Sequence, residues 1–293
     1  MLVPLAPGGS TDTVARIVAE GMRPTLGQPV IVENLGGAGG TIATGRAVRS
    51  APDGYTILIG QWGTNVATGA VYNLPFDLLT DLEPIGLMTV QPFVIVGRKD
   101  LPPNNLKELI AWLKAHPTKP LVGTAGLGSA GHIASVLMQS TIGSQFEFIP
   151  YRSAGLAMQD LVGGRLDMDM DTPATSRAFL ESGSLKGYAV TSSTRSSILP
   201  NIPTVDEAGL PGFHFGFWHA LWVPKGTPKD VIAKINLAMK TALADPATRK
   251  RLGDVGQDIY PPDRMTPAAL ATFQKAEIEK WWPVIKKAGI KAQ

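Results

Sequence analysis

The chain has 293 residues, 44% of them hydrophobic, which is enough for a sizeable core and about two domains of ordinary size. With 27 Lys and Arg against 24 Asp and Glu, the net charge is only +3, and the densest basic run is Arg249-Lys250-Arg251. That argues against nucleic-acid binding, which asks for a basic stripe; the absence of cysteine removes disulfides, thiol catalysis and cysteine metal sites, and no apolar run reaches the ~18 residues of a membrane-crossing helix.

Leu2–Leu5 is predicted as a strand and Thr13–Leu26 as a helix ended by Gly27. Between them a Pro7-Gly8-Gly9 turn leads into Ser10, Thr11 and Asp12, all residue types that cap helix starts. Gly8 and Gly9 remove side-chain bulk, and the first amides at the positive end of the helix dipole form a pocket suited to a carboxylate. No Gly-Lys-Ser or Gly-Lys-Thr follows, so this is not a nucleotide P-loop. Pro29–Asn34 reads as a second strand, Leu35–Thr41 as a glycine-rich loop and Ala43–Arg49 as a helix. After an Asp53-Gly54 turn, Tyr55–Gly60 is a third strand, and Gln61-Trp62-Gly63-Thr64-Asn65 is another polar loop. Strands alternating with helices imply a parallel sheet, whose ligands sit beyond the carboxyl ends of the strands. All three polar loops fall at that edge. Thr64 and Asn65 are candidate donors there, while Trp62 and the Phe213–Trp218 stretch offer aromatic walls, core packing being the commoner role for such residues.

Phe93–Gly97 is a further buried strand, followed by a break at Asp100–Asn104. A second α/β unit then runs through helix Leu106–Ala115, strand Leu121–Thr124, loop Ala125–Gly131, helix His132–Ile142 and strand Glu147–Pro150. Helix Ala157–Val162 and strands Leu166–Asp171 and Lys186–Thr191 continue it. Phe217–Pro224 crosses back, and helices Lys229–Ala244, Pro246–Val255 and Pro267–Ala288, the last kinked at Pro283, finish the chain. The expected fold class is therefore α/β with two lobes, each a mainly parallel sheet flanked by helices. Residues 1–97 and 221–293 form one lobe and 98–220 an inserted second. Two crossings join them, a topology that supports hinge closure over a cleft.

In the second unit Gly126-Leu127-Gly128-Ser129-Ala130-Gly131 matches a dinucleotide fingerprint, after a strand and before a helix, but no acidic residue ends the next strand. The same turn, with the Ser129 hydroxyl and a helix dipole, suits a second carboxylate. Ser129 is not a nucleophile elbow, because Leu127 stands where that motif has glycine. Asp167, Asp169 and Asp171 alternate along one strand face. They are not a calcium loop, since Thr172 and Ala178 occupy the positions of its glycine and glutamate. Asp167 and Asp169 read as a solvated face.

Several blocks follow one another along the chain: Pro7–Asp12 with Ala15-Arg16, Glu33–Gly40, Pro52–Thr56, Tyr151-Arg152-Ser153-Ala154, Gly163–Asp167, Pro203–Gly209 and Pro224–Pro228. In this order they resemble the receptors of tripartite tricarboxylate transporters, the TctC or Bug family, over nearly the whole chain. The resemblance implies a type II periplasmic-binding-protein fold, a periplasmic location with the signal peptide not present in this sequence, and no catalysis. It implies a small mono- or dicarboxylate ligand, aromatic acids included, delivery to integral-membrane permease subunits, a monomer, and no cofactor, metal or nucleic acid. It makes the Ala38 amide a ligand contact, His132 a site-facing donor, and Asp171 a cleft residue able to accept from a ligand amine or hydroxyl. The expected ligand-binding set is Gly8, Gly9, Ser10, Thr11, Ala38, Trp62, Thr64, Asn65, Ser129, His132, Tyr151, Asp171 and Thr172. The alternative is a dinucleotide-dependent or acyl-transfer enzyme using the Gly126–Gly131 loop; a ligand-sensing regulator would need a DNA-binding segment, and none is visible.

Overall fold

The computed structural model describes residues 1–116, 118, 120–126, 129–151, 153–287 and 289. Leu127, Gly128, Arg152 and Ala288, all used in the sequence reading, lie outside these residues. The chain divides into two units, Met1–Val90 with Trp218–Gln293, and Gln91–Phe217.

The first unit begins with β1 (Leu2–Val3), α1 (Ser10–Leu26), β2 (Glu33–Asn34), α2 (Thr41–Val48), β3 (Leu58–Gln61), α3 (Thr68–Val71) and most of β4 (Leu82–Pro92). The second unit holds β5 (Val94–Arg98), α4 (Leu106–Ala115), β6 (Leu121–Thr124), α5 (Ala130–Ile142), β7 (Glu147–Pro150), α6 (Ala154–Val162), β8 (Met168–Asp171), α7 (Pro173–Glu181) and β9 (Leu185–Val190). The chain returns along β10 (Gly216–Pro224) and ends with α8 (Lys229–Ala244), α9 (Pro246–Asp254), β11 (Asp258–Ile259) and α10 (Pro267–Lys287).

The fold class is α/β with two units, but both sheets are mixed rather than mainly parallel. In the first, ordered β11-β4-β10-β3-β1-β2, β1 is parallel to β2 and β3, while the returning β10 enters antiparallel to β3. In the second, ordered β7-β6-β8-β5-β9, β6 is parallel to β7 and β8, while β5 runs against both β8 and β9. That pairing also explains the boundaries. The strand at Val94–Arg98 was expected to end the first lobe at residue 97, yet its ladder partners are all in the second unit, and the division falls at 90/91 and 217/218.

Each unit has its own core. In the first, the apolar stripe Val14, Ile17, Val18 and Met22 of α1 packs against Ile57, Ile59, Leu221 and Val223 of the sheet and Ile235, Met239 and Leu243 of α8. In the second, Val94 and Val96 of β5 and Val190 of β9 pack with Ala157, Met158 and Leu161 of α6 and with Leu166, Leu185 and Leu199. Each of the larger side chains contributes about 1.5–3 kcal/mol by leaving water, and these helix stripes fix how each helix lies on its sheet.

Three local readings change. Of Gln61–Asn65, expected as a loop, Gln61 ends β3 and Gly63, Thr64 and Asn65 begin a helical segment over Gly63–Ala67. Thr64 Oγ1 accepts the Gln61 amide (3.1 Å), and Thr68 Oγ1 donates back to the Thr64 carbonyl (2.7 Å). β4 was not predicted, because Glu83, Pro84 and Gly86 interrupt a strand whose centre, Ile85–Thr89, is buried on both faces and so shows no alternation. α7 was also missed, although Thr172 at its N-cap and Pro173 after it are a helix-start signal.

Candidate ligand-binding site

In the first unit, the loops that follow the parallel strands β1, β2 and β3 meet. A side chain at Gly36 would stand 3.4 Å from the Ala6 amide, and one at Gly40 would fall 2.5 Å from Thr64 Cγ2 and 3.3 Å from the Pro4 carbonyl. Gly40 also has φ +94°, so only glycine serves there. Ala38 in the same turn has φ +46°, a left-handed conformation that costs a residue with a Cβ roughly 1–2 kcal/mol. Gly39 and Gly40 are left-handed as well, and the Gly40 amide donates back to the Gly37 carbonyl (2.9 Å), closing a tight turn before α2.

The start of α1 differs from the capping expected. Gly9 is the N-cap with no side-chain cap, which puts Ser10, Thr11 and Asp12 inside the first turn. Asp12 reaches back instead, accepting from the Gly8 amide (2.8 Å), from Arg16 Nε (3.1 Å) and from Asn34 Nδ2 (3.0 Å). Asn34 Nδ2 also donates to the Leu5 carbonyl (3.2 Å), so one carboxylate ties the β1 loop to α1 and β2. Burial alone would raise the Asp12 pKa; the bonds from Arg16, Gly8 and Asn34 prevail and hold it below the ordinary carboxylate value. The first helical bond runs from the Thr13 amide to the Gly9 carbonyl, leaving the amides of Ser10, Thr11 and Asp12 ahead of the ladder.

Beneath this turn lies a polar chain that sequence reasoning missed. His219 on β10 is fully buried, with Nε2 3.2 Å from Thr11 Oγ1 and Nδ1 3.1 Å from Thr89 Oγ1. Thr89 donates to Gln257 Oε1 (2.9 Å), and Gln257 Nε2 donates to Ser10 Oγ (3.1 Å). Since the Thr89 proton is committed to Gln257, His219 Nδ1 donates to Thr89 and Nε2 accepts from Thr11. Burial drives the His219 pKa down to about 4, so the ring is neutral at pH 7. Ser10 accepts from Gln257, which leaves its own O–H to donate. These partners lie up to 247 residues apart, and no local spacing announces them.

In the second unit a cavity of about 210 Å³ opens at the ends of β6 and β8, lined in part by Phe93, Ser129, Gly131, Asp169, Asp171 and Thr172. Ser129 is the N-cap of α5, and its Oγ accepts the His132 amide (3.3 Å). The amides of Ala130 and Gly131 precede the first helical bond, from Ile133 to the Ser129 carbonyl. Asp171 is 8% exposed; Oδ1 accepts the Thr172 amide (2.6 Å), whereas the buried Oδ2 has no partner. Burial lifts its pKa to about 6. Asp169, read from the sequence as solvated, is buried in the same cavity, and burial with the adjacent Asp171 charge pushes it well above the ordinary range. Asp167 accepts the Leu121 amide and pairs with Arg98 (3.2 Å). Thr172 caps α7 through the Thr175 amide.

Other expected contacts lie elsewhere. Trp62 is 1% exposed and meets Trp281 edge-on with ring centroids 5.4 Å apart, so it is a core residue of the first unit and not a wall. Phe213, Phe215 and Trp218 are buried too, while Phe217 lines the second unit's cavity. Thr64 donates to Asn65 Oδ1 (2.7 Å), and both are buried; Asn65 Nδ2 is left without a partner. His132 turns its ring edge-on to Phe148 (4.7 Å), and burial lowers its pKa. The Tyr151 hydroxyl donates to Asp160 (2.8 Å), and burial together with that bond raises it to about 12. Among the described residues no group of three or more His, Cys, Asp or Glu is placed to hold a metal, and no helix is long and apolar enough to cross a membrane.

Helix starts and neutral hydroxyls at strand ends suit oxyanions. Residues 14–290 match the model of the tripartite tricarboxylate transporter family receptor. The chain belongs to that family. Among solved structures, the receptor is similar to the periplasmic binding protein BugD, with 41% identity, 100% of this chain and 98% of that one covered, and a TM-score of 0.75. It is similar to MatC from Rhodopseudomonas palustris with bound malate, at 37% identity, 97% of each chain and a TM-score of 0.75. It is also similar to the R. palustris protein Rpa4515 with adipate, at 30% identity, 99% and 97% coverage and a TM-score of 0.77. BugD is a periplasmic binding protein, and the family is one of transporter receptors, not enzymes, so the enzyme alternative falls.

Proposed function

We propose that this receptor is periplasmic, binds a small organic acid, with dicarboxylates first among the candidates, and delivers it as a monomer to the permease subunits of a tripartite transporter. The observation that carries the reading is the supply of uncharged donors at helix starts: the Ser10 and Thr11 amides, the Ser10 hydroxyl and the left-handed turn at Ala38 in the first unit, and Ser129 with the Ala130 and Gly131 amides in the second. Hydrogen bonds to a charged oxygen contribute about 1.5–3 kcal/mol each, so a handful reaches the ~8 kcal/mol of a micromolar complex after the costs of association. The malate in MatC and the adipate in Rpa4515 support dicarboxylates in particular.

A thermal-shift series with mono-, di- and aromatic carboxylates tests the proposal, because a ligand that binds only the folded state raises the melting temperature by mass action. A rise with dicarboxylates is expected, and Ser129→Ala should weaken that binding by about 1–2 kcal/mol. No stabilisation by any carboxylate would overturn the reading.

A further inference from the structure

The polar chain beneath the start of α1 can run in two senses, and only one leaves a proton for a ligand. Each link is neutral and reversible: the His219 ring has two tautomers, the Gln257 amide can exchange oxygen and nitrogen, and the hydroxyls rotate. In the observed sense Thr11 donates to His219 Nε2 and His219 Nδ1 to Thr89, while Thr89 donates to Gln257 Oε1 and Gln257 Nε2 to Ser10. Ser10, exposed in the first turn, keeps its own O–H. In the opposite sense the ring carries its proton on Nε2, Thr89 donates to Nδ1, Gln257 donates to Thr89, and Ser10 must donate inward to Gln257 Oε1. Ser10 then turns lone pairs toward an incoming anion. Thr11, Thr89, His219 and Gln257 are each no more than 2% exposed, so bulk water does not uncouple one link from the next. Burial keeps the ring neutral against the direct bond it also makes with Gln257, and a neutral ring is what ties one sense to one tautomer.

We propose that His219 is a positioning residue of this receptor, acting on a carboxylate that its ring does not touch. As the Nδ1–H tautomer it fixes the direction of the relay through Thr89 and Gln257, and the relay aims the Ser10 proton outward. The inference rests on the organic-acid reading above and adds to it a buried residue from β10. By reciprocity, an anion at Ser10 holds the ring in the same tautomer.

The tautomer is read from the ring nitrogens by heteronuclear NMR at pH 7, with the His219 signals assigned by their loss in His219→Gln. Nδ1–H with a bare Nε2 is expected, with and without malate; Nε2–H would overturn the inference, whether or not any acid binds. Calorimetry with malate and succinate then tests the relay. Ser10→Ala should weaken binding about 10-fold, the scale of one hydrogen bond to a charged group. Thr89→Val keeps the shape but cuts the relay, and should weaken binding roughly 3- to 10-fold in the parent and not at all on top of Ser10→Ala. Thr89→Ser, which keeps the hydroxyl, should bind like the parent. No loss from Thr89→Val in the parent, or an equal loss in both backgrounds, would leave the chain a merely structural role and overturn the inference. Failure of both acids to bind would count against the organic-acid reading, and the tautomer would still decide the sense of the chain.

Discussion

Asp12 and Asp171 are both buried beside a helix start, one in each unit, and their surroundings push them in opposite directions. Asp12 accepts from Gly8, Arg16 and Asn34, and those bonds outweigh burial, so its pKa falls. Asp171 accepts only the Thr172 amide, and burial raises it to about 6. A carboxylate whose lone pairs are filled by its own chain is scaffold; one kept partly empty at a folding cost is a candidate for function.

The contrast breaks most visibly by mutation of Asp12. Asp12→Ala leaves the Gly8 amide without its acceptor and cuts the link from α1 to Asn34, and we expect a loss of about 3 kcal/mol in urea unfolding, the scale of one or two hydrogen bonds to a charged group. The sign with pH follows: because the folded pKa lies below the unfolded one, this contribution is complete above the unfolded value and disappears as pH falls through the folded one. A loss under about 1 kcal/mol at neutral pH would mean that the Pro7–Asp12 turn is held by something else.

Asp171→Asn is expected to do the reverse. Its folded pKa is raised, so the ionised form opposes folding once pH exceeds the unfolded value, and the amide removes that penalty. A gain of about 2 kcal/mol at neutral pH is expected, fading in acid. A destabilised Asp171→Asn at neutral pH would show that the carboxylate is structural and would erase the difference from Asp12.

How much of this could be read in the sequence follows from the range of each interaction. Helices with a regular apolar stripe, such as Leu106–Ala115 and Lys229–Ala244, end where the pattern ends, because local spacing specifies them. The Pro-Gly-Gly turn and the glycine-bounded turn that holds Ser129 were visible for the same reason, although Ser129 proved to be the cap of a helix that starts at Ala130 rather than His132. β4 was hidden because burial on both faces erases alternation. The polarity of the sites was hidden more deeply: Thr11, Thr89, His219 and Gln257 meet only through the fold, and neither the ring partners of His219 nor the missing partner of Asp171 can be inferred from neighbours in the chain. Trp62 shows the converse error. It sits beside polar residues in sequence, yet Trp281 claims it for the core.

The smallest effect sharpens the comparison by setting His219 against Asp171. Burial lowers His219 to about 4 from 6.5, so the folded state resists its protonation, and stability falls as pH drops below the unfolded value. Asp171, raised to about 6 from 3.8, gives the opposite slope, since acid relieves its buried charge. Between about pH 7.5 and 5.5 each effect is on the order of 1 kcal/mol and the two are opposite in sign, with Asp169, raised by burial and by the Asp171 charge, on the side of Asp171. Substitution should separate them. Asp171→Asn should lose stability more steeply than the parent on acidification, and His219→Gln less steeply, as measured by urea midpoints at the two pH values. His132, whose pKa burial also lowers, adds to the acid loss in every variant and drops out of the differences. Parallel curves for all three proteins would show that folding shifts the titration of neither group, and the opposed slopes assigned to His219 and Asp171 would lose their energetic basis.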